Sequence, residues 1–453
     1  MNKPVRLWWL RRDLRLADQP SLLAAASGAG VLPLFVVDPE LWGPSGDVRR
    51  AYLIGSLRAL DAELSGALHV RWGDPAVVVP QVAKQAGADE VHVASDFGPY
   101  GARRDQSVDA VLRDDGRSLV RSGSPYAVAP GRVRKGDGTP YRVFTPFYRA
   151  WLAHGWRAPA PGPQPDVNWI DAGGGEPWPQ TPDLGSLTLP EMGEQAAQRQ
   201  WADFRLNRLD EYGETRNRPD LPGTSGLSAA LKWGEIHPRT LLADLGDSPS
   251  HETFRRELAW REFYADVLHH APWSARANLR PELRTIENDE GDDSDSSFQA
   301  WSAGRTGFPF VDAGMRQLRT EGWIHNRVRM VVASFLVKDL HLSWTRGAHW
   351  FMTMLRDGDL ASNQHGWQWV AGTGTDASPY YRVFNPIGQG LRFDPEGDYV
   401  RRYVHELREV PGPSVHQPWL LPEGPPPAYP ERVIDHAEER RVALDRYAAA
   451  KRP

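Results

Sequence analysis

VRLWWLRRDLRLADQPSLLAAASGAGVLPLFVVDP (Val5–Pro39) is the stretch whose reading decides the fold of the N-terminal part of the chain. It holds two short apolar runs, Val5–Leu10 and Val31–Val37, each of strand length. Similar runs recur at Leu68–Trp72, Glu90–Ala94 and Ser118–Val120, with helix-like stretches such as Arg49–Leu64 and Pro75–Gln85 between them. Strands alternating with helices predict an α/β domain, a doubly wound parallel sheet covered by helices on both faces. The turn after the first strand is Arg11-Arg12-Asp13-Leu14-Arg15. It has none of the glycines of the dinucleotide fingerprint, so nothing here assigns NAD or FAD to this domain.

Beyond residue 130 the pattern changes twice. From about Arg157 to Gly193 the chain is rich in Pro and Gly (APAPGPQP, 158–165; DAGGGEPWP, 171–179) and reads as a connector laid over the surface. From about Glu194 onward helical periods dominate, clearest at Gln195–Tyr212, Ser250–His269, Gly307–Glu321 and Ile324–Leu340. The expected division is an α/β domain at 1–130, a connector at 131–193 and a larger all-α domain at 194–453. The acidic stretch Glu287–Ser297 is expected to be solvated and mobile. Pro411–Pro430 reads as a proline-rich wrap before a final helix.

Composition narrows the function. A chain of 453 residues has room for two or three domains. The absence of cysteine excludes disulfides, thiolate zinc sites and a cysteine nucleophile. No secretory leader is visible and no run reaches the ~18 apolar residues of a membrane span, so a cytoplasmic location is the expectation. A net charge of -5 means that any nucleic-acid binding needs a local basic patch. The 19 tryptophans exceed what a core asks for and suit stacking on flat ligands or electron relay.

Four segments carry chemistry. In GWIHNRVRMVVASFLVKDL (Gly322–Leu340), Asn326, Arg329, Met330 and Ala333 share one helical face; a core helix with a satisfied Asn gives the same spacing. In RRELAWREFYADVL (Arg255–Leu268), Glu257, Trp260, Arg261 and Tyr264 do likewise. A carboxylate beside an indole can hydrogen-bond a flat substrate and stack on it, or simply form a surface ion pair. DGDLASNQHGWQWVAGTGTDASPYYRVFNP (Asp357–Pro386) opens like a calcium or magnesium loop but lacks further oxygen ligands at regular spacing. No metal is expected there, and a polar aromatic cofactor fits better. YGETRNRPDLPGTSGLSAALKWGEIHP (Tyr212–Pro238) contains Gly-Thr-Ser-Gly-Leu-Ser, which can cradle phosphate or serve as an N-cap.

Taken in order, WLRRDLRLADQ, GTSGLS, ELAWREFY, GFPFVDAGMRQLRTEGWIHNRVRM, ASFLVKDL and the 357–386 segment resemble the photolyase/cryptochrome family over nearly the whole chain. The wording is most similar to microbial enzymes that repair cyclobutane pyrimidine dimers. The resemblance implies an N-terminal α/β domain and a helical domain that holds FAD. It implies that Tyr212 and the run Thr224, Ser225, Gly226, Leu227 and Ser228 hold the FAD phosphates and ribose, with Arg261 at the diphosphate or ring edge. Asp357, Gly358 and Asp359 contact the cofactor, Asp357 being paired with Arg329, and Asn363 faces the flavin N5. By the same matching a flipped dimer lies between Trp260 and Trp369 against Met330, and Glu257 and Asn326 bond its base edges. Arg216, Arg327 and Gln389 fall near the DNA backbone. UV-damaged DNA is thus the implied partner. No membrane or obligate protein partner is expected, and the protein is expected to be a monomer, associated with the nucleoid through DNA.

The match has gaps. Trp367 and Trp344 correspond to the inner and middle members of a three-Trp relay that photoreduces flavin, but the outer place is Gly291. Gly226 stands where many relatives have Arg, and His365 where many have Gly. In the N-terminal domain GPYGARRD (Gly98–Asp105) lacks the Asn-Glu pair of folate-binding members, which favours a deazaflavin antenna over methenyltetrahydrofolate. The alternative function is a cryptochrome-type photosensor without repair. A (6-4) photolyase would want a pair of active-site histidines, and a non-light flavoprotein has nothing else to recommend it.

Overall fold

The computed structural model describes residues 3–162, 167–171, 173, 176–283, 286–375 and 381–450. Parts of the expected connector and residues 376–380 of the 357–386 segment lie outside them. Five parallel strands form the N-terminal sheet: β1 (Val5–Leu10), β2 (Gly30–Val37), β3 (His69–Trp72), β4 (Glu90–Val93) and β5 (Ser118–Arg121), in the order β3-β2-β1-β4-β5. Side chains on a strand alternate between faces. Accordingly Leu7 and Trp9 of β1 enter one buried cluster with Leu32, Leu34 and Val36 of β2, while Trp8 and Leu10 enter another with Val31, Phe35 and Val37. Two apolar faces explain why helices are needed on both sides of the sheet.

The second of those clusters does not stop at the domain edge. It includes Ala229 and Trp233 of the helical domain, and Trp169, Trp178, Leu189 and Met192 pack against it. The Pro/Gly-rich connector therefore does more than cross the surface: Trp169 stacks on Trp8 with ring centres 6.3 Å apart, and its backbone bridges to Val31. Its large apolar side chains find a sheet face that the helices leave uncovered. Residues assigned to the connector also form a helix, Phe144–His154, whose Phe144, Phe147, Tyr148 and Trp151 are buried in the helical domain's core.

The turn Arg11–Arg15 plugs the two domains together. Leu14 N donates to Trp233 O (3.1 Å) and Arg15 Nη1 to Gly234 O (3.0 Å). Gly234, in the left-handed region at φ +71°, lies so near Arg12 O and Asp13 that a Cβ has no room. In the helical domain the helix Leu360–Ala371 is the hub, packed against Pro249–His270, Asn326–Lys338 and Trp344–Met354. Asp359 caps its start, accepting from Ser362 N (3.0 Å), and Gly372 in the left-handed conformation ends it.

One expectation fails locally. The acidic stretch 287–297 is not all loop, because a helix runs Asp292–Ala303. Asp292, Asp293 and Asp295 occupy its first turn, where negative charge complements the helix dipole. Phe298 and Trp301 tie the helix to the core.

Candidate active site

Helix Pro249–His270 starts at a Ser248 cap and Pro249, a combination that favours helix initiation. It presents Glu257 and Trp260 one turn apart. Glu257 pairs with Arg216 at 2.7 Å, both side chains partly solvent-accessible, and the Arg216 guanidinium lies 5.5 Å over the buried Tyr212 ring. Burial and the Glu257 charge push the Tyr212 hydroxyl upward. The half-buried Trp260 stacks face to face on Phe144, with ring centres 3.7 Å apart and planes 8° apart. Tyr264 and Phe263 meet Trp260 only at an angle (48° and 73°), so no second ring is stacked on it among the described residues. Arg261 faces the α/β side: it donates to Pro125 O (3.0 Å) and Leu231 O (3.1 Å) and covers Tyr126.

Helix Asn326–Lys338 brings the second group. Asn326 is exposed at its first turn, and Met330 is half-buried against the main core. His325 caps the helix, accepting from Arg327 N (3.1 Å), while its buried Nε2 has no partner among the described residues. Burial, then Arg327, Arg329 and Arg216, hold its pKa down at about 4, so it is a neutral cap. Arg327 donates to Asn217 Oδ1 (2.8 Å) and lies 4.4 Å over Phe393. Burial, then Arg216 and Arg392, lower its pKa, which marks a basic cluster beside Glu257. Gln389, on helix Pro386–Phe393, keeps Oε1 buried and unbonded among the described residues.

The third group lies around the hub helix. Arg329 Nη2 meets Asp357 Oδ2 at 2.7 Å, the pair expected from the sequence, and the buried Asp357 Oδ1 has no partner among the described residues. Asn363 Nδ2 donates to Ala348 O (3.0 Å) and Gln364 Oε1 (2.8 Å), leaving Oδ1 as its available acceptor. Asp359 Oδ2 takes Arg12 at 2.5 Å and Oδ1 caps the helix. Burial opposes its charge, yet Arg12, Lys232 and Arg261 hold its carboxyl well below the usual range. Gly358 packs against Arg49. Trp367 is buried against Gly347, where any Cβ meets its ring, with Trp301 6.2 Å away. Trp344 is buried and donates to Asn278 Oδ1 (2.6 Å). Trp369 is half-buried on the same core and makes no ring contact with Trp260 among the described residues. Gly291 caps helix Asp292–Ala303 in the open, with nothing within 4 Å of a Cβ there. His365 is buried and stacked on Tyr264, and burial lowers its pKa to about 4.

The Thr224–Ser228 turn has partners of its own. Ser225 O accepts from Gln200 (2.7 Å), and Ser228 Oγ accepts from Trp323 Nε1 (3.2 Å). Gly226 adopts φ +66° beside Gln200, and Leu227 is buried ahead of the short helix Ser228–Trp233. Thr224 is half-buried next to them.

Sequence reasoning missed a further cluster between the domains. Arg12, Arg49, Lys232, Asp96 and Asp359 act on one another electrostatically there. Burial, then Arg12, lowers Lys232 to about 7, and burial, then Arg50, lowers Arg49 to about 10. The available signal was Arg11-Arg12 in a turn otherwise noted for its missing glycines. Among the described residues no group of three or more His, Asp or Glu is placed to hold a metal ion. No helix among them is long and apolar enough to cross a membrane.

Two family models match the chain. Residues 6–166 match the family model of DNA photolyase, and residues 254–449 match the FAD binding domain of DNA photolyase. The chain belongs to the DNA photolyase family. It is 41% identical to the deoxyribodipyrimidine photo-lyase of Streptomyces griseus, across 94% of this chain and 96% of that one. Its fold is similar to the crystal structure of a bacterial class III photolyase from Agrobacterium tumefaciens, with a TM-score of 0.88 at 36% identity over 100% of this chain and 98% of that one. It is also similar to an archaeal photolyase from Sulfolobus tokodaii determined with two FAD molecules, with a TM-score of 0.85 at 29% identity over 98% of this chain and 100% of that one. The α/β domain followed by a larger helical FAD-binding domain is the architecture of this photolyase family.

Proposed function

We propose that this chain splits cyclobutane pyrimidine dimers in UV-damaged DNA in a light-dependent reaction. The observation that carries the proposal is a half-buried indole, Trp260, beside the carboxylate Glu257 under a cluster of arginines. Extruding a damaged base pair from the duplex costs a few kcal/mol, and stacking on an aromatic face offsets that cost. Trp260 provides such a face, and Trp369 and Met330 form the opposing apolar wall. Glu257 and Asn326 accept and donate at the base edges, while Arg216, Arg327 and Gln389 meet the backbone and set register without reading sequence.

The residues present fit FAD. Asp357 offers an orphaned buried acceptor held in place by Arg329, and Asn363 offers a free amide oxygen. These two groups would meet the flavin, with Asn363 at N5. Tyr212, the Thr224–Ser228 turn and Arg261 would hold the phosphates, and Gly358 and Asp359 would contact the cofactor beside Asp357. When bound, FAD supplies the electron that opens the dimer; the chain supplies orientation and a dry pocket. Arg216, paired with Glu257, offsets the negative charge developing on the dimer. Trp367 and Trp344 would return electrons toward the flavin, ending at Trp344 because Gly291 offers no ring.

For the antenna, the reading is a deazaflavin rather than methenyltetrahydrofolate, because GPYGARRD (Gly98–Asp105) lacks the Asn-Glu pair of folate-binding members. Folate in the purified protein would overturn this assignment. The repair proposal is tested by exposing a thymine-dimer oligonucleotide to the reduced flavoprotein and following the return of thymine absorbance, with a dark control. Recovery only in blue or near-ultraviolet light is expected. No recovery with FAD bound and reduced would leave the photosensor reading.

A further inference from the structure

The lesion platform is braced from outside the helical domain. Phe144 belongs to helix Phe144–His154, in the segment that joins the two domains, and is 1% exposed. Its ring lies flat against Trp260, centre to centre 3.7 Å at 8°. Behind it the aromatic column continues to Tyr148 at 5.7 Å and 21°. The Arg256 guanidinium, one helical turn before Trp260, lies 5.3 Å from the Phe144 ring and 4.9 Å from the Tyr148 ring. Phe263 contacts both Phe144 and Trp260 edge-on, which fixes the pair laterally. One face of the Trp260 indole is thereby consumed by the protein, and its tilt is set by a residue more than a hundred positions earlier in the chain.

We propose that Phe144 is a positioning residue for lesion recognition: it fixes the plane of Trp260 so that the opposite indole face is presented, already oriented, to the flipped base. The inference rests on Trp260 being the stacking platform. A free indole on a half-buried helix face samples several rotamers, and binding then loses whatever is needed to select one. A face-to-face neighbour removes that loss in advance. Because the base and Phe144 occupy opposite faces, the recognition complex is a three-layer stack with Trp260 in the middle and the buried Phe144 innermost.

The test is a double-mutant cycle read as affinity of the FAD-loaded protein, in the dark, for an oligonucleotide carrying one thymine dimer. Phe144→Leu is expected to weaken dimer binding about fivefold, the worth of one aromatic pair, while affinity for undamaged DNA holds. Phe144→Tyr, which keeps the ring, is expected to recover most of that loss. Added to Trp260→Ala, Phe144→Leu is expected to cost nothing further, because the group it orients is gone. Equal dimer affinity in Phe144→Leu and the parent would overturn the proposal, as would a full additive loss on top of Trp260→Ala. If Trp260→Ala itself binds the dimer as the parent does, the platform reading fails instead, and the two failures are distinct. FAD content of each variant reports folding separately from recognition.

Discussion

Glu262 and Asp357 are both buried carboxylates of the helical domain, and they are finished differently. Glu262 takes hydrogen bonds from Ala127 N, Val128 N (3.0 Å) and Trp151 Nε1 (2.6 Å). Asp357 takes Arg329 on one oxygen and keeps the other without a partner among the described residues. Burial raises the Glu262 pKa to about 7, outweighing its three neutral donors and the Arg261 charge, which act the other way. A carboxylate saturated by its own chain is a structural bolt. One held in place by an arginine and left with a spare lone pair is a socket for something that arrives later.

The sharpest way to break this contrast is to remove the bolt. Glu262→Leu leaves three donors without their acceptor at ~1–3 kcal/mol each, so chemical denaturation should reveal a loss of about 3 kcal/mol or more. A loss below ~1 kcal/mol would erase the distinction. Removing the socket should act on the ligand. Asp357→Ala is expected to weaken FAD binding roughly 10- to 100-fold, measured by equilibrium dialysis, with a smaller shift in the denaturation midpoint.

Lys232 sharpens the comparison from the basic side. Its folded pKa, about 7, is depressed below the unfolded value. The unfolded chain therefore binds the proton more readily between the two values, and stability rises with pH over that window. The penalty is full below pH ~7 and fades as pH climbs toward the unfolded value near ~10.4. Lys232→Met should flatten this slope and add several kcal/mol at neutral pH. A slope unchanged by the substitution would count against a strained lysine. The smallest effect is expected at the DNA mouth. Arg327→Ala should cost less than about tenfold in affinity but reduce the salt dependence of binding by about one phosphate contact.

Much of the fold was legible because the relevant signals are local. β1 begins and ends where its apolar run does, and the hub helix ends at a glycine. The pairing of Arg329 with Asp357 came from motif resemblance rather than spacing, since 28 residues separate them. What escaped the sequence reading depends on contacts between distant segments. Nothing in ELAWREFY indicates that Glu262 reaches the 127–128 backbone, or that Trp260 rests on Phe144. In the acidic run the charges dominate the local pattern and suggest a solvated, mobile segment, whereas Phe298 and Trp301 hold its helix from the core side. The Arg12 pair that engages Asp359 bridges two domains, 347 residues apart.

The bond between Glu262 and the 127–128 backbone also bears on how the protein is made. Ala127 and its acceptor are 135 residues apart in the chain. At a synthesis rate of ~5–20 residues per second, the α/β domain and its buried-to-be aromatic helix wait roughly 7 to 27 s for that acceptor to be translated. Through that interval the core that buries Phe144, Phe147 and Trp151 is incomplete. Nascent chains halted shortly before residue 262 should therefore be the form of this protein most prone to engage chaperones, and those halted well beyond it the form most resistant to protease.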